Sequence, residues 1–289
     1  MNARLASPTL VDPDVCFATL PSGISVPFVA KGAGEPMLFV HGSLCDYRYW
    51  NGQMAVLSKN FHCISVSLSH YWPLADARVA RTFSWKQHVA ELAEFIETLN
   101  LGPVHLVGHS RGGSVAFQLA CEHPHLVKSL TLADPGGALQ LDQTPVAPLP
   151  AATARLREKV AALVEAGEID AGLELFVDSV SVPGQWKRSP QGFRTMATDN
   201  AGTLPKQFLD PLPSYTQAMA ARVKCPTLLI DGEKSPRMYR DNVAMLAQWI
   251  AGAARETIAG ASHGMNVTNP AMFNRVVQGF VATCGAACH

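Results

Sequence analysis

The feature that most constrains this chain is a pentapeptide, Gly-His-Ser-Arg-Gly at positions 108–112, which lies between two apolar segments. The segment before it, Val104–Val107, is typical of a strand buried on both faces, and Gly113–Cys121 has the apolar spacing of a helix. A G-x-S-x-G sequence at a strand-to-helix turn holds its serine at strained backbone angles, and the hydroxyl projects from the carboxyl edge of the sheet. The pattern therefore predicts Ser110 as a nucleophile.

The rest of the chain repeats this alternation of short apolar runs and amphipathic helical stretches. Strands are predicted at Cys16–Leu20, Ile24–Ala30, Met37–Val40, His62–Val66, Val104–Val107, Leu130–Ala133, Thr227–Ile230 and Glu256–Ile258. Helices are predicted at Trp85–Leu99, Gly113–Cys121, Ala152–Ala166, Ile169–Val177, Val243–Ile250 and Pro270–Val281. Such alternation predicts an α/β fold with a doubly wound, mostly parallel sheet and helices on both faces.

One long segment, Gly136–Arg222, interrupts the alternation because it contains no strand-like run. It begins with a proline-rich linker, TPVAPLP at 144–150, and continues with helical patterns. We interpret it as a helical insertion at 136–222 that divides one α/β domain into two parts, 1–135 and 223–289.

Composition excludes several classes of protein. The 289 residues carry 23 Lys and Arg against 23 Asp and Glu, so a net charge of zero leaves no electrostatic footprint for nucleic acid. No apolar run approaches the roughly 18 residues of a membrane span, and no apolar stretch of a secretory signal occurs near the start. The seven cysteines are scattered and odd in number, which favours reduced thiols in the cytoplasm. Cys284, Cys288 and His289 have no second ligand pair, so we expect no metal site.

Two further segments fit the chemistry of a serine nucleophile. A tetrahedral oxyanion needs two preplaced backbone N–H donors. Arg111 follows the serine directly and supplies one, while Ser43, in the loop after Met37–Val40, supplies the other; the His-Gly before Ser43 also fits a simple tight turn. The base is expected at His263, in a loop of small residues after the last predicted strand.

Four segments together resemble the α/β-hydrolase fold family, from about residue 24 to residue 283. They are GEPMLFVHGS, LVGHSRGG, CPTLLIDGEKSP and IAGASHGMNVTNP. The resemblance implies an eight-stranded, mostly parallel sheet, a helical cap formed by Gly136–Arg222, and a serine–histidine–acid triad that needs no cofactor. The serine at the turn separates this chain from the family's haloalkane dehalogenases and epoxide hydrolases, which have an aspartate there.

The chain departs from the family at the position of the triad acid. Family members usually carry an aspartate after strand seven in a G-x-x-D pattern, but here that place holds Ser235. Because its hydroxyl is neutral, we expect Ser235→Ala to have almost no effect on activity. Asp134, at the end of strand six, is then the predicted acid, as in some relatives. Asp231 and Glu233 are the alternatives, and Asp134 also fits an Asp-Pro turn.

A second departure concerns the substrate pocket. The loop after strand four is Ser67–Pro73, with three consecutive aromatic rings that line a pocket or form a packed surface loop. We predict substrate contacts for His41, Tyr71, Trp72 and Trp186. Apolar walls are predicted from residues of the insertion, namely Trp186, Phe193, Met196, Phe208 and Tyr215.

These observations predict a hydrolase that cleaves a carboxylic ester or lactone of a small to medium organic substrate. A carbon–carbon bond hydrolase, an amidase, an acyltransferase and a non-catalytic ligand-binding relative remain open, since pocket shape rather than the triad selects among them. The expected partner is a small-molecule substrate, and the expected assembly is a monomer or homodimer.

Overall fold

Eight strands form one mixed sheet in the computed structural model, which describes residues 14–74, 82–141 and 149–286. The strand order is β1-β2-β4-β3-β5-β6-β7-β8; β1 and β2 pair antiparallel with their neighbours, and the other pairs are parallel. The strands are β1 (Cys16–Thr19), β2 (Ser25–Lys31), β3 (Pro36–Val40), β4 (His62–Val66), β5 (Val104–His109), β6 (Val127–Ala133), β7 (Thr227–Gly232) and β8 (Ala254–Ile258). The predicted eight-stranded, mostly parallel α/β sheet is confirmed.

Helices connect the parallel strands. They are α1 (Asn51–Leu57), α2 (Trp85–Thr98), α3 (Arg111–Glu122), α4 (Ala151–Glu165), α5 (Ile169–Val180), α6 (Gln185–Arg188), α7 (Gln191–Asp199), α8 (Thr203–Phe208), α9 (Gln217–Ala220), α10 (Arg237–Trp249), α11 (Met265–Thr268) and α12 (Pro270–Ala286). No helix in the described ranges is long and apolar enough to cross a bilayer.

The core lies on both faces of the sheet. Successive side chains of β3 alternate between two apolar clusters, with Leu38 and Val40 in one and Met37 and Phe39 in the other. All four are fully buried, as expected for a parallel strand that has helices on both faces. This burial holds the carboxyl ends of the central strands in a fixed edge, where the polar residues of the site lie.

The segment between β6 and β7 is helical. Its described residues form α4 to α9 and contain no strand of the sheet; one isolated bridge joins Leu139 to Tyr215. A separate apolar cluster holds α4 to α8 together, and Leu44 of the loop after β3 belongs to it. Ala220 of α9 belongs instead to a core cluster of the sheet. Most of the predicted proline-rich linker at 144–150 falls outside the described residues.

Candidate active site

The strained turn at Ser110 joins β5 to α3. Ser110 has φ 53° and ψ −120°, and its backbone N–H donates to the Ala133 carbonyl at 3.0 Å. The two glycines of the pentapeptide are required by close backbone approach. A Cβ on Gly112 would lie 2.2 Å from the His41 carbonyl oxygen, and one on Gly108 would lie 2.6 Å from the Gly112 oxygen. The sequence therefore folds into the sharp turn that its pattern predicts.

Asp134 and His263 come together beside this turn. Asp134 follows β6, is fully buried, and takes a positive φ of 41°. His263 lies in the loop after β8, and its Nδ1 is 3.0 Å from Oδ2 of Asp134. His263 and Ser110 line the same cavity. The side chains predicted as nucleophile, base and acid thus converge at the carboxyl edge of the sheet.

Ser235 has a contact that the sequence did not indicate. Its hydroxyl donates to Oδ2 of Asp134 at 2.6 Å and accepts the Gly232 N–H at 3.2 Å. The residue at the family's usual acid position therefore supports the carboxylate on the neighbouring strand. This hydrogen bond favours the ionised form of Asp134. The expectation that Ser235→Ala has almost no effect on activity does not take account of it.

The alternative acids are occupied elsewhere. Asp231 is buried and binds Arg255 Nη2 at 2.6 Å and Thr257 Oγ1 at 2.5 Å, on the side of β8. Glu233 is exposed and accepts the Gly260 N–H at 2.7 Å. Neither carboxylate shares a hydrogen bond with His263 among the described contacts.

Burial shifts the protonation of the central pair. Loss of water lowers the pKa of the His263 imidazole, so that its neutral form predominates at neutral pH. Burial raises the pKa of the Asp134 carboxyl, and the Ser235 hydroxyl opposes that shift. A neutral imidazole is the form that can accept a proton.

The loop after β3 lies against the turn at Ser110. A Cβ on Gly42 would lie 3.0 Å from the Ser110 Cβ, and both Ser43 and Arg111 line the cavity. His41 is fully buried; its Nδ1–H donates to the Gly42 carbonyl at 2.8 Å and its Nε2 accepts the Leu68 N–H at 3.1 Å. His41 therefore holds the loop in place, and it does not line the cavity.

Two rings pack against His263, and the sequence analysis missed both contacts. Tyr239 stacks on His263 with centroids 4.0 Å apart, and the His109 ring lies 4.6 Å from His263 at an interplanar angle of 42°. Tyr239 and Ser110 both line the cavity. His109 Nε2–H donates to the His263 carbonyl at 2.7 Å. These contacts fix the imidazole plane, and the only sequence signal for them is that His109 belongs to the pentapeptide.

A cavity of about 570 Å³ opens beside Ser110, within the size range of small-molecule sites. Both the α/β core and the helical insertion line it. Lining residues from the core include Ser43, Leu44, Ser110, Arg111, Tyr239 and His263. Lining residues from the insertion include Leu149, Arg157, Phe176, Val177, Val180, Phe193, Phe208 and Leu212. The mostly apolar walls suit an organic substrate.

The aromatic loop after β4 is packed and lies outside the lining of this cavity. Tyr71 is fully buried with its ring edge-on to His41, at a centroid distance of 4.7 Å. Trp72 lies beneath the Arg48 guanidinium, 4.1 Å from its ring centroid. Of the two interpretations of this loop, the structure shows the packed one.

The predicted apolar walls of the insertion divide into two groups. Phe193 and Phe208 line the cavity. Trp186, Met196 and Tyr215 are buried behind it; Trp186, for example, donates its indole N–H to Asp170 at 2.8 Å. Large apolar side chains suit core packing as well as substrate contact, and the sequence alone does not distinguish the two.

The chain matches the alpha/beta hydrolase family over residues 37–276. It is 24% identical over 278 residues to (E)-2-((N-methylformamido)methylene)succinate hydrolase of Acinetobacter baylyi, covering 89% of this chain and 94% of that protein. Its structure resembles a bromoperoxidase from Bacillus anthracis, with a TM-score of 0.77, 20% identity, and 93% and 99% coverage. It also resembles an esterase from Exiguobacterium antarcticum, with a TM-score of 0.74, 20% identity, and 92% and 98% coverage.

The two solved structures share the fold with this chain, and the family match extends from β3 into α12, across the turn at Ser110 and the loops that carry Ser43 and His263. By its sequence and its eight-stranded sheet, this chain belongs to the alpha/beta hydrolase family.

Proposed function

We propose that this protein is a serine hydrolase that cleaves a carboxylic ester or lactone of a small to medium organic substrate through an acyl-enzyme. One observation carries the proposal: a buried carboxylate, Asp134, lies 3.0 Å from the imidazole of His263, in the cavity that Ser110 enters from a strained turn. A carboxylate, an imidazole and a serine hydroxyl in this order form the relay that activates a serine.

Acylation follows from these positions. His263 takes the proton of the Ser110 hydroxyl as the oxygen attacks the acyl carbonyl. The backbone N–H groups of Arg111 and Ser43 stabilise the oxyanion, and the N-terminus of α3 adds a favourable partial charge. Asp134 holds the imidazole tautomer and stabilises the imidazolium.

The first tetrahedral intermediate collapses as His263 gives its proton to the leaving alkoxide, and this leaves Ser110 acylated. In deacylation His263 takes a proton from water, which attacks the acyl carbon. His263 then returns the proton to the Ser110 oxygen as the bond from that oxygen to the acyl carbon breaks and the acid leaves. The helical insertion at 136–222 acts as a cap, whose apolar side chains exclude bulk water from the acyl-enzyme and select the substrate. No cofactor takes part in these steps.

The family membership supports hydrolysis as the reaction. The Acinetobacter relative is named a hydrolase, and one of the similar folds is named an esterase. The cavity supports a small organic substrate, because its walls are mainly apolar and its polar groups converge on Ser110.

The test is covalent labelling together with ester turnover. A fluorophosphonate should label the wild type at Ser110, and Ser110→Ala should neither label nor hydrolyse 4-nitrophenyl butyrate. Ser114→Ala removes a buried serine one turn further along α3 and should label as the wild type does. Peptide mapping by mass spectrometry locates the label. Labelling or turnover that persists in Ser110→Ala would contradict the proposal.

A substrate panel then identifies the scissile bond. Esters, lactones, amides and a vinylogous 1,5-diketone are offered to wild type and Ser110→Ala under the same conditions. We expect Ser110-dependent turnover of the esters or lactones. Turnover of the diketone or the amides alone would replace the proposal by a carbon–carbon hydrolase or an amidase on the same residues.

A further inference from the structure

Arg157 is a cation in a mainly apolar wall of the cavity. It lies on α4, is half-buried, and lines the cavity together with Phe176 and Phe208. Its guanidinium lies over the Phe208 ring, 5.4 Å from the centroid. Among the described residues, no carboxylate forms an ion pair with it.

The other charges that line the cavity are already paired. The Arg111 guanidinium forms an ion pair with Asp210, and Asp210 also accepts the Trp85 N–H at 2.7 Å. Arg157 thus leaves one positive charge uncompensated within the described lining. Because Arg157 is half-buried, its charged form loses part of its solvation, which lowers the pKa of the guanidinium.

An uncompensated, half-buried guanidinium favours an anionic ligand. Removing a charge from water costs free energy unless a partner of opposite charge replaces the solvent. The planar guanidinium offers parallel N–H donors that match a carboxylate, and such charge-assisted hydrogen bonds are about twice as strong as neutral ones. The apolar surroundings strengthen the attraction further.

Arg157 also lies near the reacting group. Arg157 lines the same cavity as Ser110 and Tyr239, and the Tyr239 ring stacks on His263 with centroids 4.0 Å apart. A ligand whose anionic group binds Arg157 can therefore reach Ser110 within one cavity.

We propose that Arg157 binds a carboxylate of the substrate, so that the natural substrate is an ester or lactone that also carries a free carboxylate. This proposal rests on the proposed function and specifies its substrate class. Phe208 forms one face of the subsite, since its ring supports the guanidinium from below.

The experiment compares matched pairs of charged and neutral esters. One pair carries the carboxylate on the acyl side, mono-4-nitrophenyl adipate and its methyl ester. The other carries it on the leaving group, 4-acetoxybenzoate and its methyl ester. The measured quantity is the ratio of kcat/KM for the anionic ester to that for its neutral partner, in wild type, Arg157→Met, Arg157→Lys and Arg155→Met.

The expected result is a fall of about tenfold or more in this ratio for Arg157→Met in at least one pair, mainly through KM, since the variant loses a charge-assisted hydrogen bond to the carboxylate. Arg157→Lys should keep part of the ratio, because it retains the charge without the planar fork. Arg155, an exposed arginine on the same helix, is the matched control, and its removal should leave both ratios as in the wild type. Ratios that are the same in Arg157→Met as in the wild type for both pairs would overturn the proposal.

A binding measurement separates this proposal from the proposed function. Should the wild type hydrolyse none of the four esters, the proposed function fails, and titration calorimetry with adipate then tests Arg157 directly. Binding of adipate that is weakened about tenfold by Arg157→Met, and unaffected by Arg155→Met, supports the carboxylate subsite. Adipate that binds equally to wild type and Arg157→Met, or to neither, overturns it.

Discussion

Asp134 has a strained backbone and a buried carboxylate, each of which costs free energy of folding, and together they suit a role in the site. Its backbone takes a positive φ of 41°, which is uncommon outside glycine although aspartate adopts it more often than most residues, and its carboxylate is fully buried. The Asp134 N–H donates to the Ile230 carbonyl at 2.9 Å, so β7 fixes the strained residue. Strain of this kind is typical of functional sites, and here it directs the carboxylate toward His263.

At this scale we predict that Asp134→Asn abolishes most activity and preserves the fold. An amide cannot stabilise an imidazolium as a carboxylate does, and the equivalent change in serine proteases lowers kcat by about 10⁴, so a loss of roughly 10² to 10⁴ is expected. Because burial raises the pKa of Asp134 above its unfolded value, the ionised carboxylate destabilises the fold at pH above that pKa. The melting temperature at alkaline pH should therefore stay equal or rise.

The control variants for this prediction change residues of β7 and of the turn that follows it. Ser235→Ala removes one donor to Asp134 and keeps the carboxylate, so it should cost only about tenfold. The double variant Asp134→Asn with Ser235→Asp should recover part of the loss, since Ser235 already contacts the same site. Full activity in Asp134→Asn together with inactivity of Asp231→Asn or Glu233→Gln would place the acid on strand seven.

Among elements, the sequence predicts those that carry a long apolar pattern. The β4 strand has the predicted bounds, and α2 and α12 begin at the predicted residues. In contrast, α10 begins at Arg237 instead of Val243, because the polar residues Tyr239 and Asn242 are buried in its first turns and break the apolar period. The short helices α6 to α9 were not predicted, since four to nine residues show too few turns for a period.

Some residues of the candidate site were predicted from the sequence and others were not. Ser110, Asp134 and His263 follow strands β5, β6 and β8, and parallel strands bring their carboxyl ends to one edge, so local sequence predicts that they meet. Arg157 and Tyr239 lie on helices, and their approach to the site depends on how α4 and α10 pack. No local pattern contains that information, which is why both were missed.

Between elements, a polar network connects the helical insertion to the loop that carries Ser43. Asn200, just after α7, is fully buried; its Nδ2 donates to Asp46 Oδ2 at 2.7 Å and its Oδ1 accepts the Trp72 N–H at 2.8 Å. Asp46 in turn caps the 3₁₀ turn that follows this loop. The network therefore couples the position of the insertion to that of the proposed oxyanion donor.

We predict that Asn200→Ala destabilises the protein by about 1–3 kcal/mol, because it leaves a buried N–H and part of a buried carboxylate unsatisfied. Urea unfolding measures the change, and kcat/KM for a neutral ester should fall with it as the loop at Ser43 loosens. Gln191→Ala removes an exposed amide on α7 and is the matched control, expected within about 0.5 kcal/mol of the wild type. Equal stability of Asn200→Ala and Gln191→Ala would show that the network does not hold the insertion.

The molecule as a whole has no net charge, with 23 basic and 23 acidic residues. No excess of one sign of charge therefore biases the site, and burial and near neighbours shift the protonation of the central pair. Asp134 is fully buried, and the His263 side chain is 10% exposed. Salt screens exposed charges far more effectively than buried ones.

The final prediction is that kcat/KM falls on the acidic side of the pH profile, and that the midpoint of this fall does not depend on salt concentration. The reactive form has a neutral His263 and an ionised Asp134, so activity is lost as pH falls and the buried pair binds a proton; the midpoint belongs to the pair and not to either residue. Profiles for a neutral ester at about 20 mM and about 500 mM salt should have midpoints within about 0.3 pH units, since the Debye length changes but the pair is buried. Ser235→Ala should move the midpoint to higher pH at both salt concentrations, because it removes a hydrogen bond to the ionised carboxylate. A wild-type midpoint that moves by about one pH unit with salt would instead show that exposed charges control the pair.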